Sequence, residues 1–584
     1  MSRFETPLLG RFLFLDPGMH PLSFVAALLL LSSWLQPLHI LPWVSWHSEV
    51  LAFVSVFLVA LGLLGVRLWR ARGRSSHMAL PAPVLVWIAL VVLVTMQWLS
   101  GLISFAGDAL VLGLYFFLCA VAWGLGYGLG AMDEEALTRQ RQAIEALAWT
   151  LVVGAFVSAV IALAQTLGVW ESVSLINRMP QLRRPGGNLG QPNQLATLLI
   201  MGLASLLFLY HLQRLGRLVA GALFVVLSLG LAATESRTGL LSLAILSIWC
   251  LVGYGRSALR IKPWVVLVGL ALLVLLFFAW PAWMSASGLS ASDARLNTNV
   301  GSRLVVWPQL IEAIALRPWT GWGLREVSTA HNAVADAHAV AEPFTYAHNL
   351  VLDLALGMGV PLTLLLLSVA GVWVWRRLKI CTHVWAWYGL AAVLPVAVHC
   401  MLEFPFAYAY FLAPVMFLLG SLDALESRRS VLRVRSSSVA VCTLLMAGVA
   451  GWTAVEYVKV EEDFRVVRFE ALNLGKTPQD YGRPTVLLLT QLDALMNAGR
   501  LEPHAGMDTE TLALAGKVAK RFPWPATLNR YALSLALNGQ PDEARRQLRV
   551  MRALHGEETY DQIRANWQGP AKERSPILRE FAFP

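Results

Sequence analysis

Thirteen mostly apolar stretches, each about as long as a helix must be to cross ~30 Å of hydrocarbon, constrain this chain more than any other feature. They fall at roughly 20–38, 50–69, 80–99, 108–129, 143–167, 193–212, 217–234, 237–254, 263–283, 347–375, 384–402, 405–424 and 437–457. Inside a bilayer each backbone amide has to find its partner within the segment, so runs of this kind fold as transmembrane helices. The expectation is an all-α polytopic integral membrane protein with about 12–13 transmembrane helices. Composition points the same way: 57% of residues are hydrophobic and only 14% charged, and 23 are Trp. No small-residue cleavage site follows the first apolar run, which therefore reads as a retained helix rather than a removed signal.

The formal net charge of +10 does not point to nucleic acid, because Lys and Arg collect in alternate short loops between the apolar runs. Arg67, Arg70, Arg72 and Arg74 lie in one such loop, Arg256, Arg260 and Lys262 in another, and Arg428, Arg429, Arg433 and Arg435 in a third. Basic loops stay in the cytoplasm, so this asymmetry sets the N-terminus inside and the opposite loops outside. The chain then divides into residues 1–283 with nine spans, an outer loop at 284–346, four more spans in 347–457, and an outer C-terminal helical domain at 458–584. Within that last part, Tyr531–Leu548 has the small residues and the Gly539-x-x-x-Glu543-Ala544 spacing of a tetratricopeptide (TPR) helix pair. A packed α-hairpin is expected there, either as a docking surface for a peptide or as a folding module without a ligand. The five cysteines show no C-x-x-C spacing, so neither a disulfide framework nor a zinc site is indicated.

Three outer segments carry arginines against the charge bias: Arg178, Arg183 and Arg184; Arg237; and Arg295, Arg303, Arg317 and Arg325. Singly, each is tolerable in a translocated loop. Together on one face they suggest an anion site. The same face holds four stretches with chemical potential. Arg184-Pro-Gly-Gly-Asn188-Leu-Gly-Gln191-Pro-Asn193 combines a mobile backbone, three amides and a proline-initiated helix, whose first N–H groups favour anions. Glu235-Ser-Arg237 sits between two apolar runs, where a self-satisfied ion pair is the alternative to a site. Residues 301–323 contain an apolar periodicity consistent with an amphipathic helix on the membrane surface, with Arg303 near its start and Pro308 read as lying in its first turn. Finally, His348 stands where the long loop meets an apolar run with only Asp353 charged before Arg376, and Tyr408 lies at the outer entry to the twelfth span. An ionisable group at the mouth of a membrane helix is a functional candidate, against the reading of an interfacial histidine wetted by headgroup water.

The run Gly301-x-Arg303-x-x-x-Trp307 with Pro318-x-x-Gly321-x-Gly323, Ser236-Arg237-Thr-Gly at the head of a span, and His348-Asn349 at the end of the outer loop resemble the O-antigen ligase/polymerase superfamily of lipid-linked glycan transferases. The Gly187-Asn188-Leu-Gly-Gln191-Pro-Asn193 run and the C-terminal domain resemble more narrowly its protein O-oligosaccharyltransferase branch, which glycosylates pilins. The resemblance spans roughly residues 10–570. It implies transfer of a preassembled glycan from undecaprenyl diphosphate to a Ser or Thr hydroxyl at the periplasmic face of the bacterial inner membrane, without a cofactor or metal. It also implies roles. Arg237 and Arg303 match the family's diphosphate-binding arginines, with Arg184 a third. His348 is placed to take the acceptor's proton, and a helix dipole would keep it neutral. Asn188, Gln191, Asn193 and Tyr408 would contact substrate. Ligation to lipid A-core and glycan polymerisation remain alternatives in the acceptor. A flippase for the lipid-linked glycan is the alternative of another class, although no internal repeat or mid-bilayer charge path marks one.

Overall fold

The computed structural model describes residues 21–71, 75–129, 134–170, 172–178, 184–257, 259–287, 301, 303–426, 432–571 and 576–584. It is mostly helical, with almost no sheet. The membrane helices are α1 (Pro21–Leu35), α2 (Trp46–Ala71), α3 (Pro83–Leu99), α4 (Ala106–Gly128), α5 (Glu134–Thr166), α6 (Pro192–His211), α7 (Arg217–Ala233), α8 (Arg237–Ser257) and α9 (Pro263–Ala286). After the long loop, which carries α10 (Arg303–Leu316) and α11 (Val327–Asn332), come α12 (Leu350–Met358), α13 (Val360–Ile380), α14 (Val384–Cys400), α15 (Ala409–Glu426) and α16 (Ser436–Ala471). Among the described residues nine of these helices are long and apolar enough to span a bilayer, and α1, α3, α7 and α14 are shorter apolar helices. Each of the thirteen predicted spans thus has its helix, and the protein is a multi-pass membrane protein.

One span departs from prediction. The run at 347–375 is broken: α12 ends at Met358, Gly359 takes φ 79°, and α13 begins at Val360. A Cβ on Gly359 would come 2.3 Å from the Trp319 carbonyl oxygen, so the turn requires glycine. Pro361 behind it has no N–H to continue α12. His348 therefore precedes a nine-residue helix, not a full membrane helix.

The chain groups into two compact units: residues 1–89, 115–298 and 371–448, and residues 90–114, 299–370 and 449–584. The first is organised around α6, whose apolar window is 83% buried. Close approach there depends on small residues, as expected where lipid supplies no hydrophobic drive between helices. Gly202 of α6 leaves no room for a side chain against Ala155 of α5, and Gly230 of α7 abuts Ala159. Toward one end of α6, Phe208 stacks on Tyr388 with ring centroids 4.1 Å apart, and Tyr388 shares a 2.9 Å hydrogen bond with Ser205. In the same unit β1 (His77–Leu80) pairs antiparallel with β2 (Leu432–Arg435), His77 opposite Arg435, joining two loops that the sequence marks only as basic. Asp423, 2% exposed, accepts from the Trp123 and Trp373 indoles at 2.7 and 2.8 Å and pairs with Arg377, which also pairs with Glu426.

The second unit contains the long loop and the C-terminal helices α17 (Thr490–Arg500), α18 (Thr509–Arg521), α19 (Pro525–Leu537) and α20 (Pro541–Asn566). The expected α-hairpin is formed by α19 and α20 across Gly539, and it buries Leu528, Ala532, Leu535, Leu548 and Met551. The loop has its own apolar core of Val306, Leu310, Ala313, Val327, Ala330, Phe344, Ala347 and Leu356. Pro308 lies in the second turn of α10, not the first. That helix buries Val306, Leu310 and Ala313 while exposing Leu304, Val305, Ile311 and Leu316, so it is apolar on two faces.

Candidate active site

The first unit gathers the glycine-rich run, the head of α8 and the loop after α14. Gln191 caps α6, accepting from the Gln194 N–H at 3.0 Å, and Pro192 opens the helix. The Asn193 amide donates to Glu403 at 3.2 Å and accepts from the Ser236 hydroxyl at 2.7 Å. Ser236 in turn accepts the Gly239 N–H at 3.0 Å and so caps α8. Two helix N-termini, each a concentration of partial positive charge, are thereby tied together through one asparagine. Arg237 is the first residue of α8 and is exposed; Arg184, also exposed, donates to the Glu235 carbonyl at 2.8 Å. Desolvation depresses Arg184, opposed by Glu235; Arg237 adds to the depression and Glu403 opposes it, so the four groups form one electrostatic neighbourhood. Burial also raises the Glu235 carboxyl against the pull of Arg184. One turn into α6, Thr197 meets His399 Nδ1 at 2.8 Å. Tyr408 lies between Phe404 and Tyr410, at 5.8 and 5.2 Å between ring centroids, and Tyr410 donates to Gln194 at 2.8 Å.

Asn188 is placed differently from expectation. It is 1% exposed, its amide nitrogen donates to the Leu35 and Leu175 carbonyls at 2.5 and 2.8 Å, and its oxygen accepts the Asn177 N–H at 3.0 Å. Both of its donors are used by main chain, so Asn188 latches the loop instead of facing a substrate. Arg183 and Arg295 lie outside the described residues. Glu403 and Ser236, which join the two helix heads, carry no predicted role; a lone acid closing an apolar run was the available signal for Glu403.

The second unit holds His348 and Arg303. His348 has left-handed backbone, φ 54°, and its Nδ1 lies 3.0 Å from the Tyr346 carbonyl oxygen. The segment is pinned on both sides. Asn349 caps α12, accepting from the N–H groups of Val351 and Leu352 at 2.9 and 3.1 Å. Asp353 accepts the Ala347 N–H at 2.9 Å, the Trp307 indole donates to the Ala347 carbonyl at 2.8 Å, and the Phe344 ring lies 4.4 Å from the imidazole. Burial, then the Arg303 charge, push the His348 imidazole down to about 4, and the Tyr346 carbonyl opposes them. Its neutrality thus has two sources besides the expected helix dipole. Burial likewise drives the Asp353 carboxyl well up.

Two arginines counted toward the anion site are engaged within the protein. Arg317 lies over the Trp322 ring at 4.1 Å, and Arg325 is 3.6 Å from Asp108, which also takes Arg521. Among the described residues no group of three or more His, Cys, Asp or Glu is arranged to hold a metal ion.

Comparison with known proteins adds relatives. Residues 185–210 match the protein glycosylation ligase model, 222–367 the O-antigen ligase model, and 387–569 the model for the C-terminal part of a virulence factor membrane-bound polymerase. The chain is 27% identical over 550 residues to the general O-oligosaccharyltransferase of Acinetobacter baylyi, covering 91% of this chain and 92% of that protein. It is 26% identical over 358 residues to the ComP-specific O-oligosaccharyltransferase of the same organism, covering 59% of this chain and 62% of that protein. The first two matched segments contain Arg184's neighbours, Arg237, Arg303 and His348; with the two relatives they support a multi-pass membrane glycosyltransferase similar to O-antigen ligases and O-oligosaccharyltransferases.

Proposed function

We propose that the protein transfers a preassembled oligosaccharide en bloc from undecaprenyl diphosphate to Ser or Thr hydroxyls of periplasmic proteins such as pilins. The observation that carries this reading is the tautomer imposed on His348. A neutral imidazole that donates Nδ1–H to the Tyr346 carbonyl has its lone pair on Nε2, and a base held neutral beside an arginine is suited to an anionic donor. The acceptor oxygen bonds to the sugar C1 as the bond from C1 to the diphosphate oxygen breaks; the hydroxyl proton passes to Nε2, and the electron pair leaves with the diphosphate. Arg303, Arg237 and Arg184 are assigned to the diphosphate, whose developing charge guanidinium forks stabilise in pairs of hydrogen bonds. Gln191, Asn193 and Tyr408 are assigned to the substrate. The basic loops orient the enzyme in the inner membrane with residues 284–346 and 458–584 in the periplasm. The outward apolar face of α10, with Leu304, Val305, Ile311 and Leu316 exposed, is assigned to the outer leaflet.

The polymerase model matching 387–569 favours glycan-chain extension as the second reading. One experiment separates them: purified protein with a lipid-linked oligosaccharide, a pilin and a chelator, wild type beside His348→Ala. Intact glycan on a pilin Ser or Thr, lost by ~10²- to 10⁴-fold in the variant, is expected. Growth of the glycan or its transfer to lipid A-core would move the acceptor assignment. Movement of the lipid across vesicles with its diphosphate bond unbroken would replace the transferase by a flippase.

A further inference from the structure

We infer that the α19–α20 hairpin with α18 takes the chain's own catalytic loop as its ligand, and that Arg521 and Gln547 are positioning residues for His348. This rests on His348 being the base. The contacts run the length of the segment before it. Arg521 ends α18, is 4% exposed, and donates to both oxygens of Asp108 at 2.8 and 2.9 Å. Ser328 of α11 donates to the Arg521 carbonyl at 3.1 Å. The fully buried Gln547 of α20 accepts from the Asn332 amide at 3.2 Å, and Arg546 donates to the Asn332 carbonyl at 2.7 Å. Asp336 receives Arg549 at 3.4 Å, and the Ala341 N–H donates to the Ala553 carbonyl at 2.8 Å. Ala335 and Ala341 belong to the same apolar core as Leu548 and Met551. The face of α20 turned to residues 332–341 is therefore filled.

The position set there is passed on by packing. Val327 and Ala330 of α11 share a core with Val306, Leu310, Phe344 and Ala347, and Phe344 lies against the imidazole. Close-packed interiors transmit displacement instead of absorbing it. Buried ion pairs and amide pairs add little net stability but select one register, which is what a general base needs. A hairpin free to bind an acceptor peptide would present this face open.

The test uses the full chain with Cys442→Ser, Asp336→Cys and Arg549→Cys, bridged by a short bis-methanethiosulfonate that reductant removes. Bridge formation is read by peptide mass spectrometry, independently of activity. Turnover of the bridged protein is expected to stay within about twofold of the unbridged one. Arg521→Gln and Gln547→Ala are each expected to lower kcat by about 10- to 100-fold with donor KM unchanged, and bridging is expected to restore part of that loss, which a general folding defect would not allow. Transfer abolished by the bridge and recovered with reductant would overturn the inference in favour of an acceptor groove. Failure of the bridge to form, or wild-type kcat in both variants, would overturn it as well. Full activity of His348→Ala would instead remove the base assignment, and the bridging result would still report the loop contact.

Discussion

Replacing Arg303 by Gln tests the electrostatics of the base directly. In the folded protein the His348 imidazole lies at about 4, some 2.5 units below its ordinary 6.5, with burial the larger cause and the Arg303 charge the next. Each unit is worth ~1.4 kcal/mol, so the fold favours the neutral ring by roughly 3 kcal/mol. Because the pKa is depressed on folding, that stability is present above about pH 6.5 and is lost as pH falls toward 4. Removing the Arg303 charge should raise the imidazole toward its ordinary value while burial still holds it below. The assay is kcat/KM for glycan transfer from pH 4 to 8, since this ratio reports the free enzyme. Wild type should be flat above about pH 5 and bend near 4, whereas Arg303→Gln should bend at a higher pH, on top of a loss of about 10²-fold or more from the missing diphosphate fork. An acid limb that stays in place, or moves lower, would refute the proximity of this charge to the base.

Other substitutions test the scaffold. Asn188→Leu strands two carbonyls and one N–H, each worth about 1–3 kcal/mol when buried, and should lower the melting temperature in detergent; unchanged stability with raised donor KM would return Asn188 to the substrate. Arg377→Met leaves Asp423 a buried charge without its cation, at a cost of about 3–5 kcal/mol. Asn at Asp423 in the same chain should recover most of the melting temperature, and no recovery would deny the pair its role. Gly359→Ala forces a side chain onto the Trp319 carbonyl and should impair both stability and transfer; wild-type behaviour would mean that α12 and α13 can run on as one helix.

The spans were legible because hydropathy over twenty residues is a local property, and so was the start of α12, where Asn349 has a strong capping side chain. The break at Gly359 was not, although Gly357-Met-Gly-Val-Pro361 was in view, because every residue there is apolar and a hydropathy window averages over it. The latch made by Asn188 is hidden for another reason: its partners Leu35 and Leu175 are backbone carbonyls 153 and 13 residues away, and side-chain identity says nothing about them. Counting Arg325 toward an anion site failed similarly, since its partner Asp108 sits at the head of a different helix. The pairing of β1 with β2 joins residues more than 350 positions apart in the chain, where no local period operates.

The same Asp108 has a consequence in time. Arg521 follows it by 413 residues. At ~5–20 residues per second, the ribosome delivers the guanidinium about 20 to 80 s after the carboxylate. For the later part of that interval the acid at the head of α4 has only Arg325, at 3.6 Å, to offset it. A late event of synthesis therefore completes a site opened early in it. A chain that stops short of residue 521 keeps at the top of a membrane helix an acid without its hydrogen-bonded cation, a mark by which unfinished molecules differ from finished ones.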